Sequence, residues 1–311
     1  LEVTMIEARG LTKRYGSTVA VDGLTFEVKP GRVTGFLGPN GAGKTTTMRL
    51  ALGLDHANAG SILVNGRRYG DVRFPLHEVG ALLDAKSVHE GRRAVDHLWS
   101  LAQSNGISKA RVREVLEAVG LSSVARKRVG TFSLGMSQRL GIAAALLGDP
   151  PTLLFDEPVN GLDPEGIVWI RELFKHLAGQ GRTVFVSSHL MSEMAITAED
   201  LIVIGRGKLI AHGPIHELTS KTGGHVQVRS PQLDRLGALL GERGAKVEHQ
   251  NDGSLAVRGL DAPAIGELAA EHQLVLHELT PEQASLEETF FELTNETVDY
   301  RAESAVATPG A

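Results

Sequence analysis

An α/β fold is expected from this sequence: a core built on a parallel sheet, one inserted helical block, and a small appended α+β domain. Three observations carry that expectation. A short apolar strand, Arg32–Leu37, runs into a glycine-rich turn and then a helix from Thr45 to Leu54. Apolar strands at Thr152–Phe155 and Thr183–Ser187 flank a helical stretch near 166–178, an alternation that builds parallel sheets. After about Thr219 the composition shifts, and the elements then run β-α-β-β-α-β, the split βαβ order of a ferredoxin-like unit.

The elements follow in chain order. Thr18–Val21 and Leu24–Val28 are β-prone runs separated by Asp22-Gly23 and closed by Pro30-Gly31. Ser61–Val64, followed by Asn65-Gly66, reads as one arm of a hairpin. From Ala94 to about Leu147 the period becomes helical: Val95, Leu98 and Leu101-Ala102 share one face, and Val112, Val115, Leu116 and Val119 another. Ser220–Gly224 reads as a linker. Beyond it come strand His225–Arg229, helix Leu233–Leu240, strands Ala245–His249 and Leu255–Arg258, helix Ala264–Glu271 and strand Leu274–Leu279. A helix from Ser285 to Leu293 closes the domain, and Thr297–Ala311 is expected to be a disordered tail.

Composition narrows the chemistry. Apolar residues are 42% and charged residues 22% of the 311, the balance of an ordinary globular chain. A net charge of −5 gives no general drive toward nucleic acid, and doublets such as Arg67-Arg68 and Arg92-Arg93 read as solvated surface. With no cysteine, disulfides, thiolate metal sites and thiol nucleophiles are excluded. The longest nearly unbroken apolar stretch, Leu140–Leu147, is far short of the ~20 residues a membrane span needs. The N-terminus lacks the layout of a signal peptide, so a cytoplasmic location is expected, with any membrane role exercised through a partner.

The chemistry begins at Gly38-Pro39-Asn40-Gly41-Ala42-Gly43-Lys44-Thr45-Thr46, which fits the phosphate-loop pattern G-x-x-x-x-G-K-[ST] between a strand and a helix. Glycines let the backbone wrap phosphates with N–H groups, and the helix N-terminus adds partial positive charge. Lys44 is expected to reach the β- and γ-phosphates and the Thr45 hydroxyl to ligate Mg²⁺. The second piece is Thr152-Leu153-Leu154-Phe155-Asp156-Glu157-Pro158, a buried strand with two carboxylates at its C-terminal end, where parallel sheets bind ligands. Asp156 suits Mg²⁺ through the metal's water shell, and Glu157 suits polarising a water that attacks the γ-phosphate.

The third piece is Phe132-Ser133-Leu134-Gly135-Met136-Ser137-Gln138-Arg139, just ahead of an apolar helix. With it, residues 5–219 resemble the ATP-binding cassette (ABC) family, whose signature is usually written S-G-G-Q-x-Q-R. The resemblance implies a phosphate-loop ATPase: a RecA-like core with an antiparallel β subdomain and an inserted helical subdomain at about 85–150. It also implies ATP and Mg²⁺ as cofactors, and a pair of cassettes, as a homodimer or with a near relative. In such a pair Ser133 and Gly135 face the γ-phosphate held by the other subunit. Tyr15 matches the residue that stacks on adenine, Asn160–Pro164 the loop that crosses the dimer interface, and His189 the histidine that bonds the γ-phosphate.

Two departures mark the chain. Asp84, in Val79-Gly80-Ala81-Leu82-Leu83-Asp84, stands where the family usually carries a glutamine near the metal, in a segment that lines the groove for a membrane partner. Leu134 and Met136 replace Gly and Gln of the signature. This variant, the Asp84 region and Ser285-Leu286-Glu287-Glu288 resemble the branch that exports peptide antibiotics and hydrophobic drugs. The function so implied is the ATPase of a two-component exporter, attached to the inner face of the membrane through a separate polytopic permease. A soluble ABC ATPase of translation or repair and an ATP-dependent regulatory module are the alternatives. One cassette without a coiled-coil insertion counts against the first, and the retained Glu157 against the second. The domain at 225–296 holds no clustered catalytic or metal-binding residues.

Overall fold

The computed structural model describes residues 5–221, 224–250, 252–282, 286–288 and 290. The chain divides into two compact units between Pro214 and Ile215, a few residues before the boundary expected at Thr219.

In the first unit, β1 (Ile6–Tyr15) and β2 (Thr18–Val28) lead to β3 (Val33–Leu37) and helix α1 (Lys44–Ala51). β4 (Ala59–Val64) and β5 (Val79–Leu82) precede three helices, α2 (Ala94–Ser104), α3 (Lys109–Ala118) and α4 (Leu134–Leu146). Then follow β6 (Thr152–Asp156), α5 (Pro164–Gly179), β7 (Thr183–Ser188), α6 (Met191–Thr197), β8 (Asp200–Gly205) and β9 (Lys208–Pro214). One sheet runs β5-β6-β7-β3-β8-β9, parallel except for the antiparallel edge β9. A second, antiparallel sheet runs β2-β1-β4.

Every residue of β3, β6, β7 and β8 is buried, which is why each reads as a continuous apolar run rather than an alternation. Phe26 of β2 fastens the antiparallel sheet to the core, with ring centroids 5.7 Å from Phe36 and 5.9 Å from Phe185. Such pairs add about 0.5–1.5 kcal/mol each beyond their area burial. On α5, the Phe174 ring packs tilted against Phe155 of β6, with centroids 4.7 Å apart.

Two local expectations are corrected. Thr18–Val21 and Leu24–Val28 are one strand, because Asp22-Gly23 is a bulge with Gly23 at φ +63° rather than a break. β4 is not a hairpin arm: it pairs with β1, and beyond Asn65-Gly66 only a single bridge, Val64 to Arg67, forms. The Asn65 side chain instead donates to the Glu78 carbonyl at 3.0 Å and accepts from the Thr152 hydroxyl at 2.7 Å, tying that turn to the main sheet. The β8–β9 hairpin went unanticipated. Its first strand opens on a buried Asp200, which Arg32 holds at 3.2 Å through both carboxylate oxygens.

The second unit begins with α7 (Ile215–Lys221) and continues as β10 (His225–Arg229), α8 (Leu233–Glu242), β11 (Lys246–His249), β12 (Leu255–Arg258), α9 (Ala262–Glu271) and β13 (Glu278–Glu282). Its sheet runs β11-β12-β10-β13, all antiparallel, which is the second-third-first-fourth order of the split βαβ unit. The last strand starts four residues later than the expected Leu274. The amide of Leu274 is taken up closing α9 onto the Ala269 carbonyl at 2.8 Å, with Gln273 at φ +53°. Ser285, the end of the expected closing helix and the tail from Thr297 lie outside the described residues.

One partly buried imidazole makes stability pH-dependent. Burial, aided by the Arg92 charge, pushes the pKa of His97 below its ordinary value. In the unfolded chain it takes up a proton as pH falls through about 6.5, while in the fold it resists it. This stabilisation is therefore complete above pH ~6.5 and declines below it. The melting temperature is expected to hold from pH 8 to 7 and fall between 6.5 and 5.5, with His97→Gln flattening part of the fall. A melting curve insensitive to pH over that range would contradict the assignment.

Candidate nucleotide site

Strand order explains how distant motifs meet. β7 lies between β3 and β6, so the turns leaving these three strands emerge side by side at the C-terminal edge of the parallel sheet. The first carries residues 38–46, the second Asp156 and Glu157, and the third His189.

The loop has no room for side chains at two glycines. A Cβ on Gly38 would strike the Ile204 carbonyl, and one on Gly43, at φ +105°, would strike the Ala20 carbonyl. Gly43 caps α1 without any side-chain acceptor for the first helical amides. Pro39, Asn40, Gly41, Gly43, Lys44, Thr45 and Thr46 line one pocket with Ala20 and Glu157, and the Ala42 methyl is buried behind the loop. Thr45 is exposed at the mouth, on the first turn of α1.

Lys44 is only 6% exposed, and its ammonium donates to the Gly38 carbonyl at 2.6 Å. It also stands 3.3 Å from Glu157 Oε1. That approach is an ion pair without hydrogen-bond alignment, so Oε1 is a buried carboxylate oxygen lacking a hydrogen-bond partner among the described residues. The other oxygen, Oε2, is 2.8 Å from His189 Nδ1. Expected to bond the γ-phosphate, His189 is held here by Glu157 through Nδ1, leaving Nε2 without a bond to any described residue.

One residue not singled out from the sequence orders both acids. Ser187 on β7 is fully buried, its hydroxyl donates to Asp156 Oδ1, and it accepts from the Glu157 amide at 3.0 Å. Glu157 itself sits at φ +48°, the left-handed region, which costs a non-glycine residue on the order of 1 kcal/mol. The signal available in the sequence was only that Ser187, with Ser188, ends an apolar run, Val184–Val186, on a polar pair.

Tyr15, 46% exposed, stands beside this cluster: its hydroxyl donates to Asp55 at 2.8 Å and lies within bonding reach of Thr46. Partial desolvation and the Asp55 contact raise the phenol's pKa. Hydrogen bonds from Arg49 and Tyr15 lower that of Asp55. Lys13 lies 4.9 Å from the Tyr15 ring centre, so one face of the ring is already occupied by a cation.

Three expected site residues are not gathered here. Asp84, exposed two residues past the end of β5, spends its carboxylate on the Lys86 amide at 2.8 Å. Ser133 and Gly135 lie at the N-terminus of α4, where the Ser133 hydroxyl accepts from the Met136 amide at 3.2 Å. Beside them runs the loop at 160–164: the Gln138 amide donates to the Asn160 carbonyl at 3.2 Å, and Asp163 caps α5 through the Gly166 amide at 2.9 Å. The unusual Leu134 packs over Gly161, where a Cβ would collide with it. Arg139 then joins α4 to its neighbours, donating to the Val119 carbonyl at 3.1 Å and lying 4.1 Å from the Trp169 ring centre.

Comparison with known proteins places this arrangement in a family. The family described as ABC transporter matches residues 21–160, and a domain of unknown function matches residues 224–287. The chain is 34% identical to the uncharacterized ABC transporter ATP-binding protein YhcH of Bacillus subtilis, covering 94% of this chain and 97% of that protein. It is 36% identical to the bacitracin transport ATP-binding protein BcrA of Bacillus licheniformis, over 93% and 97% of the two chains. Among solved structures, an ATP-binding subunit of an ABC transporter is 26% identical with a TM-score of 0.65, over 70% of this chain and 93% of that one. A dimeric cassette bound to ADP and Pi, 23% identical over 68% and 99% of the chains with a TM-score of 0.63, shares the fold. The chain belongs to the ATP-binding subunits of ABC transporters.

Proposed function

We propose that this subunit hydrolyses ATP as one half of a cassette pair and drives a separate membrane permease that exports antibiotics or related drugs. The observation that carries the ATPase half is the gathering of Lys44, Glu157 and His189, with Glu157 Oε1 buried, unbonded and facing the phosphate pocket. A carboxylate oxygen held there only by its ion pair with Lys44, with no hydrogen bond, is available to accept a proton from an attacking water once Lys44 turns to phosphate.

Each side chain then has a task. The amides of residues 38–46 and the start of α1 receive the β- and γ-phosphates, and Lys44 turns from the Gly38 carbonyl toward them. Tyr15 offers its open ring face to adenine. The Thr45 hydroxyl and the Asp156 carboxylate suit Mg²⁺, a hard cation that keeps most of its waters and takes few protein ligands; when bound it supplies charge neutralisation between phosphate oxygens. Asp156 fits because Ser187 holds one of its oxygens and fixes the direction of the other. Glu157 orients the water and takes its proton, His189 keeps Glu157 in place through Nδ1, and Nε2 is free for the γ-phosphate. Asp84 keeps one carboxylate oxygen on the Lys86 amide, so it joins the metal set only through the other.

Pairing follows from what one chain lacks. The amides at the start of α4, with Ser133 and Gly135, offer a helix end suited to an anion, and neither residue lines the pocket of their own loop 38–46. A second copy turned head to tail brings that helix end to the γ-phosphate, so ATP joins the two subunits and hydrolysis releases them. The reading is supported by a neighbouring fold that is dimeric with ADP and Pi. The exporter reading is supported by similarity to bacitracin transport and to the lantibiotic transport ATP-binding protein SrtF of Streptococcus pyogenes, 35% identical over 66% of this chain and 89% of that one.

Among the described residues no helix is long and apolar enough to cross a membrane. Affinity capture of the full chain from native membranes is expected to bring down a polytopic membrane protein in equal amount, with faster ATP hydrolysis than the isolated subunit. An active ATPase that captures no membrane protein would favour the soluble reading.

A further inference from the structure

The helical block carries a charge opposite to that of the whole chain. Residues 85–130 hold nine Lys or Arg against four Asp or Glu, a net +5 in a chain whose net charge is −5. The fold then concentrates part of that charge. Backbone pairing sets Arg93 opposite Arg128, with the Val129 amide bonded to the Arg92 carbonyl at 2.9 Å and the Ala94 amide to the Lys127 carbonyl at 3.2 Å. Arg92, Arg93, Arg126, Lys127 and Arg128 are thereby drawn into one exposed cluster. Like charges directly opposite each other on paired backbone are unfavourable. Among the described residues, none of the five forms an ion pair with a carboxylate; the one side-chain bond is from Arg92 to the Ser100 hydroxyl at 3.4 Å. A local rule broken without an internal compensation points to a ligand outside the chain.

A cavity of about 690 Å³ adjoins the cluster and shares Arg93 and Arg126 with it. Lys109 and Arg113 add two cations to its wall against the carboxylates of Asp96 and Glu117. The ligand is thus an anion, and the surface indicates which kind. None of the large apolar side chains exposed on the described chain lies between residues 85 and 130. Protein interfaces are centred on aromatic and aliphatic anchors and depleted of charge at their core. A layer of anionic headgroups asks for cations alone, each contributing near the surface.

We propose that the Arg92-Arg93 and Arg126-Lys127-Arg128 cluster is a contact surface for the anionic phospholipid headgroups of the membrane beside which this subunit works. The proposal rests on the transporter reading for the presence of a membrane. It assigns to the subunit an electrostatic hold on the lipid surface additional to its protein partner.

The test is vesicle sedimentation of the full chain at low ionic strength. Wild-type protein is expected to sediment with vesicles containing phosphatidylglycerol, to stay in solution with pure phosphatidylcholine, and to dissociate as salt is raised. The variant R126Q/K127Q/R128Q is expected to lower the partition coefficient roughly 100-fold, from about fivefold per cation lost. R92Q/R93Q is the second variant should the first fold poorly. R67Q/R68Q, an exposed doublet outside the block, is expected to bind as wild type. Basal ATP hydrolysis in the same samples reports folding and tests the ATPase reading separately. Wild-type protein that ignores phosphatidylglycerol, or cluster variants that bind it unchanged, would overturn the proposal. So would cluster-dependent binding to a polyglutamate peptide but not to vesicles, which would assign the surface to an acidic protein.

Discussion

Glu157→Gln is expected to slow ATP hydrolysis by about 10²–10⁴-fold, the usual contribution of a positioned general base. The amide matches the carboxylate in size and can still bond His189 Nδ1, so the local geometry persists. What disappears is the acceptor of the water's proton. Affinity for ATP is expected to stay within a few fold, because the carboxylate now 3.3 Å from Lys44 no longer competes with phosphate for the ammonium. Phosphate release measured beside equilibrium binding of a fluorescent ATP analogue separates the two effects. Hydrolysis near the wild-type rate would remove Glu157 from the role of base.

Lys44→Ala is expected to act on binding itself, weakening ATP affinity by about 10–100-fold, the scale of one charge-assisted hydrogen bond of 1.5–3 kcal/mol. The substitution also leaves the Gly38 carbonyl without its donor at 2.6 Å and Glu157 without its cation. A modest loss of thermal stability is therefore expected along with the loss of affinity. Lys44→Arg is expected to recover little, since a planar fork does not fit a site where the side chain is 6% exposed and wrapped by loop carbonyls. Unchanged ATP affinity in Lys44→Ala would refute the phosphate cradle.

Much of this site was readable from residue order, for identifiable reasons. Strands buried on both faces are built around apolar runs, so β3, β6 and β7 are legible to within a residue or two, and each motif follows the end of such a strand. The small α+β unit was legible because its alternation is local, and its strand order follows from the split βαβ pattern. What the sequence concealed depends on contacts between distant segments. Ser187 orders Asp156 and Glu157 only once β6 and β7 pair in the register Asp156 opposite Ser187. The charges at Arg92-Arg93 read as solvated surface until backbone pairing set them against residues 126–128. Asp84, aligned by family position, turns to its neighbour Lys86, because an amide two residues on is the acceptor's nearest donor.

The central claim is that each ATP site is completed by the other subunit's Ser133–Gly135 helix end. Light scattering of Glu157→Gln with Mg²⁺ and ATP tests it most directly. The expected mass with ATP is twice the 33.2 kDa of the chain, returning to a single chain with ADP, and remaining single with ATP when Ser133→Arg is added although ATP still binds. A Glu157→Gln protein that binds ATP yet keeps the mass of one chain would contradict the claim.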